Sequence, residues 1–128
     1  MPLNILLVAL GGAVGSVARY LLNVASTRAL GSNFPYGTFA ANVLGGLLMG
    51  LLIGVLAHRG GADQERWRVL LGVGVLGGFT TFSSYSLEVA RMIEARSYAV
   101  AGVYASASAL LAISAVFAGL ILARRLFA

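Results

Sequence analysis

Long apolar stretches of helix length, separated by short polar segments, dominate the chain. A membrane-spanning helix needs roughly 20 mostly apolar residues, and such stretches cover residues 4–23, 36–57, 67–93 and 98–123. The connecting segments 26–35, 58–66 and 91–97 are short and rich in polar or turn-forming residues. The pattern predicts an all-α membrane protein whose residues 1–128 form a single four-helix transmembrane domain, with both termini on one side.

The beginning of the chain is apolar without a preceding positive charge. It has no positively charged leader and no obvious cleavage site, and its apolar stretch continues too far for a signal peptide. We therefore predict that it is a retained first transmembrane helix.

Composition supports lipid as the surrounding medium. The chain of 128 residues is 59% hydrophobic and only 10% charged, whereas soluble domains carry about 25% charged residues. It has no cysteine, which excludes a disulfide, a thiol nucleophile or a thiolate metal site. All basic residues other than the one histidine are arginines, and they are scattered, unlike the basic runs of nucleic-acid-binding surfaces.

The arginines are almost evenly divided between the two sides of the four predicted spans. The side that carries the termini has Arg59, Arg66, Arg68, Arg124 and Arg125. The other side has Arg19, Arg28, Arg91 and Arg96. Orientation normally follows an excess of arginine and lysine in cytoplasmic loops. The weak bias here is compatible with insertion in both orientations and an antiparallel dimer, or with one topology set by the depths of the arginines.

Glycine residues recur at a spacing of four in the first two spans. Gly11 and Gly15 form one such pair, and Gly46, Gly50 and Gly54 form a longer stripe. Small residues at this spacing let helix backbones approach closely in lipid. The stripes predict tight helix packing.

The segment GVGVLGGFTTFSSYS (72–86) has the spelling of a nucleotide-binding loop. Gly72, Gly74 and Gly77 match G-x-G-x-x-G, but no strand precedes them, which excludes a dinucleotide site. The glycine pair at 77–78 and the hydroxyl residues that follow instead predict a third helix that is broken near its middle. Irregular backbone at membrane depth is tolerated where it lines a cavity, and such breaks direct carbonyl and amide groups at ions.

Polar residues inside the spans are candidates for an ion path, because they are costly in lipid without a partner. Thr38 and Asn42 lie one turn apart on the second span, and Tyr104 and Ser108 lie one turn apart on the fourth. The alternative for Asn42 is an interhelical hydrogen bond. Arg19 either extends to the interface or supplies positive charge to a vestibule.

Glu88 is a carboxylate in the second half of the third span. It is either a site for a proton or a cation, or a helix cap or ion pair near the interface. Catalysis has no support, since a serine nucleophile needs a base within reach and His58 lies in a polar loop far from Ser83. We assign no catalytic residue and expect a protein that is not an enzyme.

Several segments together resemble the Fluc (CrcB) family of small bacterial fluoride channels. They are GGAVGSVARY (Gly11–Tyr20), GTFAANVLGG (Gly37–Gly46), GGFTTFSSYSLE (Gly77–Glu88) and the Tyr104/Ser108 pair. The resemblance implies an antiparallel, dual-topology homodimer with two pores. It also implies passive, selective efflux of fluoride across the bacterial cytoplasmic (inner) membrane.

The resemblance also implies roles for individual residues. The backbone carbonyls of Gly77 and Thr80 match positions that hold a central sodium ion. The expected fluoride pathway comprises Arg19, Asn42, Thr81, Phe82, Ser83, Tyr85, Tyr104 and Ser108. The chain departs from the family pattern where Tyr85 replaces a pore phenylalanine and where Ala112 follows Ser108 without a hydroxyl.

The residues are also compatible with two other functions. A small proton-coupled exporter of hydrophobic cations shares the four-span plan and would use Glu88 as its coupling carboxylate, although such transporters usually carry it in the first span. A subunit that only packs against partner proteins would transport nothing.

Overall fold

The computed structural model describes residues 2–59 and 61–127. Three long helices are α1 (Pro2–Leu30), α2 (Tyr36–Arg59) and α6 (Tyr98–Phe127). The region between α2 and α6 consists of α3 (Gln64–Trp67), a π-helix (Arg68–Leu76), α4 (Gly77–Phe79) and α5 (Phe82–Glu94). Neither described range contains a β-strand. Four helical segments, the third being Gln64–Glu94, are long and apolar enough to cross a membrane, which confirms the predicted four-span, all-helical architecture.

The helices extend beyond the apolar stretches from which they were predicted. α1 continues to Leu30, through half of the segment expected to be a turn. It ends at Gly31, which has φ +87° and donates its N–H to the Thr27 carbonyl at 2.9 Å. α5 similarly continues to Glu94 and ends before Arg96, which has φ +60°. The boundaries therefore lie where the backbone becomes left-handed, and not where polarity begins.

The glycine stripes lie where helix backbones meet. A Cβ on Gly11 would lie 2.9 Å from the Cα of Gly74, and one on Gly50 would lie 2.9 Å from the carbonyl carbon of Val116. Real Cβ atoms essentially never approach so closely. α1 packs chiefly on the π-helix, and α2 packs chiefly on α6. The predicted close packing of these glycine stripes is confirmed, and it divides the bundle into two tight helix pairs.

The glycines with the nucleotide-loop spelling lie within the third span. Gly72 and Gly74 are buried in the π-helix, and Gly77 begins α4. π-Helical turns are rare in proteins, and those that occur often lie at functional sites. Here the π-helix follows directly on α3, so the letter match with a dinucleotide fingerprint is coincidental, as predicted.

Two residues interrupt the helical backbone of the third span. Thr80 has φ −86° and ψ 159°, and Thr81 has φ −154° and ψ 123°. α5 begins at the next residue, Phe82, and the Thr81 hydroxyl accepts the Ser84 N–H at 3.2 Å as an N-cap. An N-cap of this kind satisfies one of the amide groups that a new helix leaves without a partner.

Of the two adjacent glycines, Gly78 is the one enclosed by neighbouring backbone. A Cβ there would lie 2.7 Å from the Gly12 carbonyl oxygen, whereas the nearest atom to a Cβ on Gly77 is the Gly72 oxygen at 3.5 Å. We expect Gly78→Ala to destabilise the protein by about 1–3 kcal/mol, a cost typical of overpacking. Gly102→Ala is the matched control, because a Cβ on Gly102 would meet nothing within 4 Å, and it should unfold near the wild-type temperature. Thermal unfolding in detergent measures both, and equal effects would contradict this account.

Candidate functional site

The side chain of Asn42, on α2, forms hydrogen bonds with the backbone at the interruption. The Thr81 N–H donates to Asn42 Oδ1 at 2.8 Å, and Asn42 Nδ2 donates to the Thr81 carbonyl at 3.0 Å. Both polar backbone groups of Thr81 are thereby paired with one amide side chain. An unpaired backbone group costs several kcal/mol in lipid. The two hydrogen bonds with Asn42 therefore stabilise the extended conformation at membrane depth.

Diverting the Thr81 N–H also changes the environment of the Gly77 carbonyl. In a continuous α-helix that carbonyl would accept the N–H four residues later, which belongs to Thr81. The Thr80 N–H is also engaged elsewhere, with the Leu76 carbonyl at 3.0 Å. Gly77 is exposed on the surface of the chain. Its carbonyl is therefore separated from its usual helical donor and belongs to an exposed residue.

Arg19, half-buried near the middle of α1, also contacts the interruption. Its Nη1 donates to the Thr80 carbonyl at 3.2 Å. The Thr80 hydroxyl bonds back to the Leu76 carbonyl at 3.0 Å. The guanidinium therefore places a positive charge beside the extended residues. The side chain bonds within the chain here, and is not simply extended toward the interface.

A cavity of about 460 Å³ lies between α2, the interruption and α6. Its polar and aromatic wall consists of Asn42, Thr80, Thr81, Phe82, Tyr85 and Ser108. The rest of the wall includes Gly45, Gly46, Met49, Ala112 and Val116. Five of the eight residues predicted for the ion path thus meet around one cavity. Ala112, which has no hydroxyl, makes the wall beyond Ser108 apolar.

Ser108 is the polar residue whose bonding is left open. It is buried, and its Oγ has no hydrogen-bond partner within residues 2–59 and 61–127. A serine in a membrane helix often bonds back to its own backbone, but no such bond is formed here. Buried polar atoms without a partner are rare and call for an explanation. An unpaired hydroxyl beside a cavity is a candidate donor for a ligand bound there.

The Tyr85 hydroxyl, unlike that of Ser108, already has a hydrogen-bond partner within the chain. The hydroxyl donates to the Ala105 carbonyl on α6 at 2.7 Å. Its ring lies 5.5 Å from the Phe82 ring and 5.6 Å from the Tyr104 ring, measured between centroids. The added hydroxyl of this position is therefore engaged with backbone, and the ring is the part that lines the cavity.

A second polar cluster lies one helical turn from the first. Glu88 accepts hydrogen bonds from Thr38 Oγ1 at 3.2 Å and from the Tyr104 hydroxyl at 3.1 Å. Tyr104 and Thr38 are buried, and Glu88 is half-buried. The sequence placed Thr38 and Tyr104 on polar faces but did not join them to Glu88. The sequence feature that could have indicated this cluster is that the polar pairs on α2 and α6 have the same spacing of four residues.

Three predicted residues lie away from the cavity wall. Tyr104 belongs to the Glu88 cluster, and Arg19 contacts the Thr80 carbonyl from the α1 side. Ser83 is exposed and its Oγ lies 3.2 Å from the Thr81 hydroxyl. Their roles in an ion path remain predictions, because proximity within one chain does not test them.

Comparisons with known proteins cover almost the whole chain. Residues 6–120 match the family model described as CrcB-like protein, Camphor Resistance (CrcB). The chain is 68% identical over 124 residues to the fluoride-specific ion channel FluC of Phenylobacterium zucineum (strain HLK1), covering 97% of this chain and 98% of that protein. It is 65% identical over 124 residues to FluC of Caulobacter sp. (strain K31), with 97% of each covered. It is 51% identical over 125 residues to FluC of Agrobacterium fabrum (strain C58 / ATCC 33970), covering 98% and 99%.

The pairing at Thr81 predicts opposite behaviour for two substitutions in the cavity wall. Asn42→Leu leaves both backbone groups of Thr81 without partners, and we expect a loss of at least about 2 kcal/mol in the free energy of unfolding. Ser108→Ala removes a hydroxyl that has no partner, so its unfolding temperature should be unchanged or slightly raised. Thermal unfolding in the same detergent compares the two. Equal destabilisation by both substitutions would show that Asn42 does not hold the interruption.

Proposed function

Since the chain belongs to the CrcB family, we propose that it is a fluoride-selective channel that lets fluoride leave the cell passively. The observation that best supports this function is the cavity beside the extended residues, whose wall includes Ser108, with its unpartnered hydroxyl, Thr81 and the aromatic residues Phe82 and Tyr85. The family and the relatives favour a channel over a proton-coupled exporter. A channel needs no covalent step, and we propose no catalytic residue.

The chemistry of the cavity wall suits a small anion. Fluoride is strongly hydrated, so a pore must replace its water with donors. An asparagine amide has two N–H donors, and one of those of Asn42 is used by the Thr81 carbonyl, which leaves the other for an ion. The Ser108 hydroxyl is a second donor, and the edges of aromatic rings are electropositive. Chloride is larger and gains less from a few closely placed donors.

We further propose that two copies form an antiparallel dimer with two pores. Gly77 is exposed, and Phe82 is 78% exposed in the isolated chain, both at the interruption. Irregular backbone is not tolerated facing lipid within the hydrocarbon region. A second copy placed over this face would cover it, and the nearly even distribution of arginines permits the opposite orientation.

The same face suits the resident sodium ion that the family resemblance implies. Carbonyl oxygens are hard ligands of the kind that such cations prefer. The Gly77 carbonyl is separated from its helical donor, and the Thr80 carbonyl has a second lone pair besides the one that accepts from Arg19. We propose that these two carbonyls, together with those of a second copy, hold sodium, which supplies a fixed positive charge between the pores.

The four apolar helices and the family make this a multi-pass membrane protein. We propose that the membrane is the bacterial cytoplasmic (inner) membrane. Helical bundles insert there, whereas proteins of the outer membrane are β-barrels.

The proposed function predicts that purified protein in liposomes releases fluoride down its gradient and barely releases chloride. An ion-selective electrode measures both on the same preparation. Replacing sodium with a bulky organic cation on both sides should slow fluoride release if the carbonyl site must be filled. Equal release of both anions would contradict selectivity. Release driven by a pH gradient and abolished by Glu88→Gln would instead indicate the exporter, and no flux at all would indicate a subunit that only packs against partners.

We expect the rings of Phe82 and Tyr85, and not the Tyr85 hydroxyl, to contact the ion. Tyr85→Phe removes only the bond to the Ala105 carbonyl, so we expect fluoride flux and fluoride-over-chloride selectivity close to wild type. A single hydrogen bond between membrane helices contributes about 0.6 kcal/mol on average, so its unfolding temperature should fall only slightly. Tyr85→Ile and Phe82→Ile remove ring edges and should slow fluoride release while light scattering still shows the dimer. Loss of flux in Tyr85→Phe would show that the hydroxyl contacts the ion.

A further inference from the structure

A second cavity, of about 330 Å³, is lined by residues from the beginning of α1 and the beginning of the third span. It is lined by Leu3, Leu7, Asp63, Arg66, Trp67 and Leu70. None of these residues belongs to the proposed ion path. The segment that follows α2 and the start of the third span provide its polar part, and α1 provides two leucines.

The cavity follows from the pattern of residue sizes along α1. Leu3 and Leu7 continue the stripe of Gly11 and Gly15 at the same spacing of four. At the glycines the α1 backbone touches the third span directly, and a Cβ on Gly11 would lie 2.9 Å from the Val75 amide nitrogen. At the leucines, partly exposed side chains replace this backbone contact and line the recess. Their surfaces leave an apolar recess that opens at the end of the bundle.

The mouth of this recess carries one charge of each sign. Arg66 Nη1 lies 3.7 Å from Asp63 Oδ1, with side-chain exposures of 64% and 71%. An exposed pair of this kind contributes about 0–1 kcal/mol, so it yields readily to other partners. Trp67, half exposed beside the pair, is of the residue type enriched where membrane meets water.

We propose that this recess binds a zwitterionic phospholipid whose headgroup ends in a primary ammonium, such as a phosphatidylethanolamine. The Arg66 guanidinium matches the phosphate, and the Asp63 carboxylate matches the ammonium group. One acyl chain lies against the leucines and Trp67. An anionic lipid would bring its net charge beside Asp63, and a quaternary ammonium lacks the N–H donors that a carboxylate pairs with.

The composition of the chain provides a direct probe, because Trp67 is its only tryptophan. Bromine atoms on an acyl chain quench tryptophan fluorescence at contact. The protein is placed in phosphatidylcholine vesicles that contain a small fraction of brominated phosphatidylethanolamine, phosphatidylcholine or phosphatidylglycerol. The proposal predicts that brominated phosphatidylethanolamine reaches half-maximal quenching at a fraction about five- to tenfold lower than the other two, as expected for one charge-assisted contact.

Variants show whether the ion pair causes this preference. Asp63→Asn and Arg66→Gln should each reduce the difference between the lipids to less than about twofold, if each headgroup contact is charge-assisted. Glu65→Gln is the matched control, since Glu65 pairs with Arg68 at 2.6 Å and neither residue lines the recess. It should retain the wild-type preference.

Three results would overturn the proposal. Equal quenching by the three lipids would show that Trp67 meets only bulk bilayer lipid. Weak quenching by all of them would show that protein, such as a second copy of the chain, covers the recess. A preference that survives in both Asp63→Asn and Arg66→Gln would assign the selectivity to other residues. None of these results depends on fluoride transport.

Discussion

The rest of the structure depends on the exchange of two hydrogen bonds between the Asn42 side chain and the backbone of Thr81. In water, two extended residues within a helix would find partners in the solvent. In the hydrocarbon region they have none, and each unpaired group costs several kcal/mol. One asparagine supplies the donor and the acceptor that Thr81 requires. The interruption of the third span therefore depends on a side chain from α2 as well as on the residues of the span itself.

This exchange also connects the two halves of the bundle. The glycine stripes pack α1 against the π-helix and α2 against α6, and Asn42 joins one pair to the other. The cavity opens where they meet, with Ser108 of α6 on its wall. Glu88 provides a second connection one turn away, through hydroxyl donors from α2 and α6. Polar side chains thus fix the relative placement of helices whose apolar surfaces give little specificity in lipid.

The elements that were predictable from sequence are those that depend on local spacing. Residue polarity predicts four spans, and the spacing of Gly11 and Gly15 predicts close packing, because both properties belong to a single helix. The partners of Asn42 were not predictable. Spacing places a residue on a helix face, but the rotation of that helix against its neighbour decides whether the face meets backbone or cavity. For the same reason the two polar residues Asn42 and Ser108 differ. The Asn42 amide exchanges two hydrogen bonds with Thr81, and the Ser108 hydroxyl has no partner in the described chain. The ends of the helices were also missed, since they depend on left-handed residues such as Arg96.

The central claim is that fluoride passes beside the interruption and contacts the unpaired hydroxyl of Ser108. Solid-state NMR on bilayer samples with ¹³C-labelled serine measures this contact, because the through-space dipolar coupling to ¹⁹F dephases the signals of nearby carbon atoms most strongly. Ser106 and Ser114, which are exposed on other faces of α6, serve as internal controls. The account predicts that added fluoride dephases the Ser108 Cβ signal and leaves those of Ser106 and Ser114 unchanged. Dephasing at Ser106 or Ser114 without any at Ser108 would contradict it.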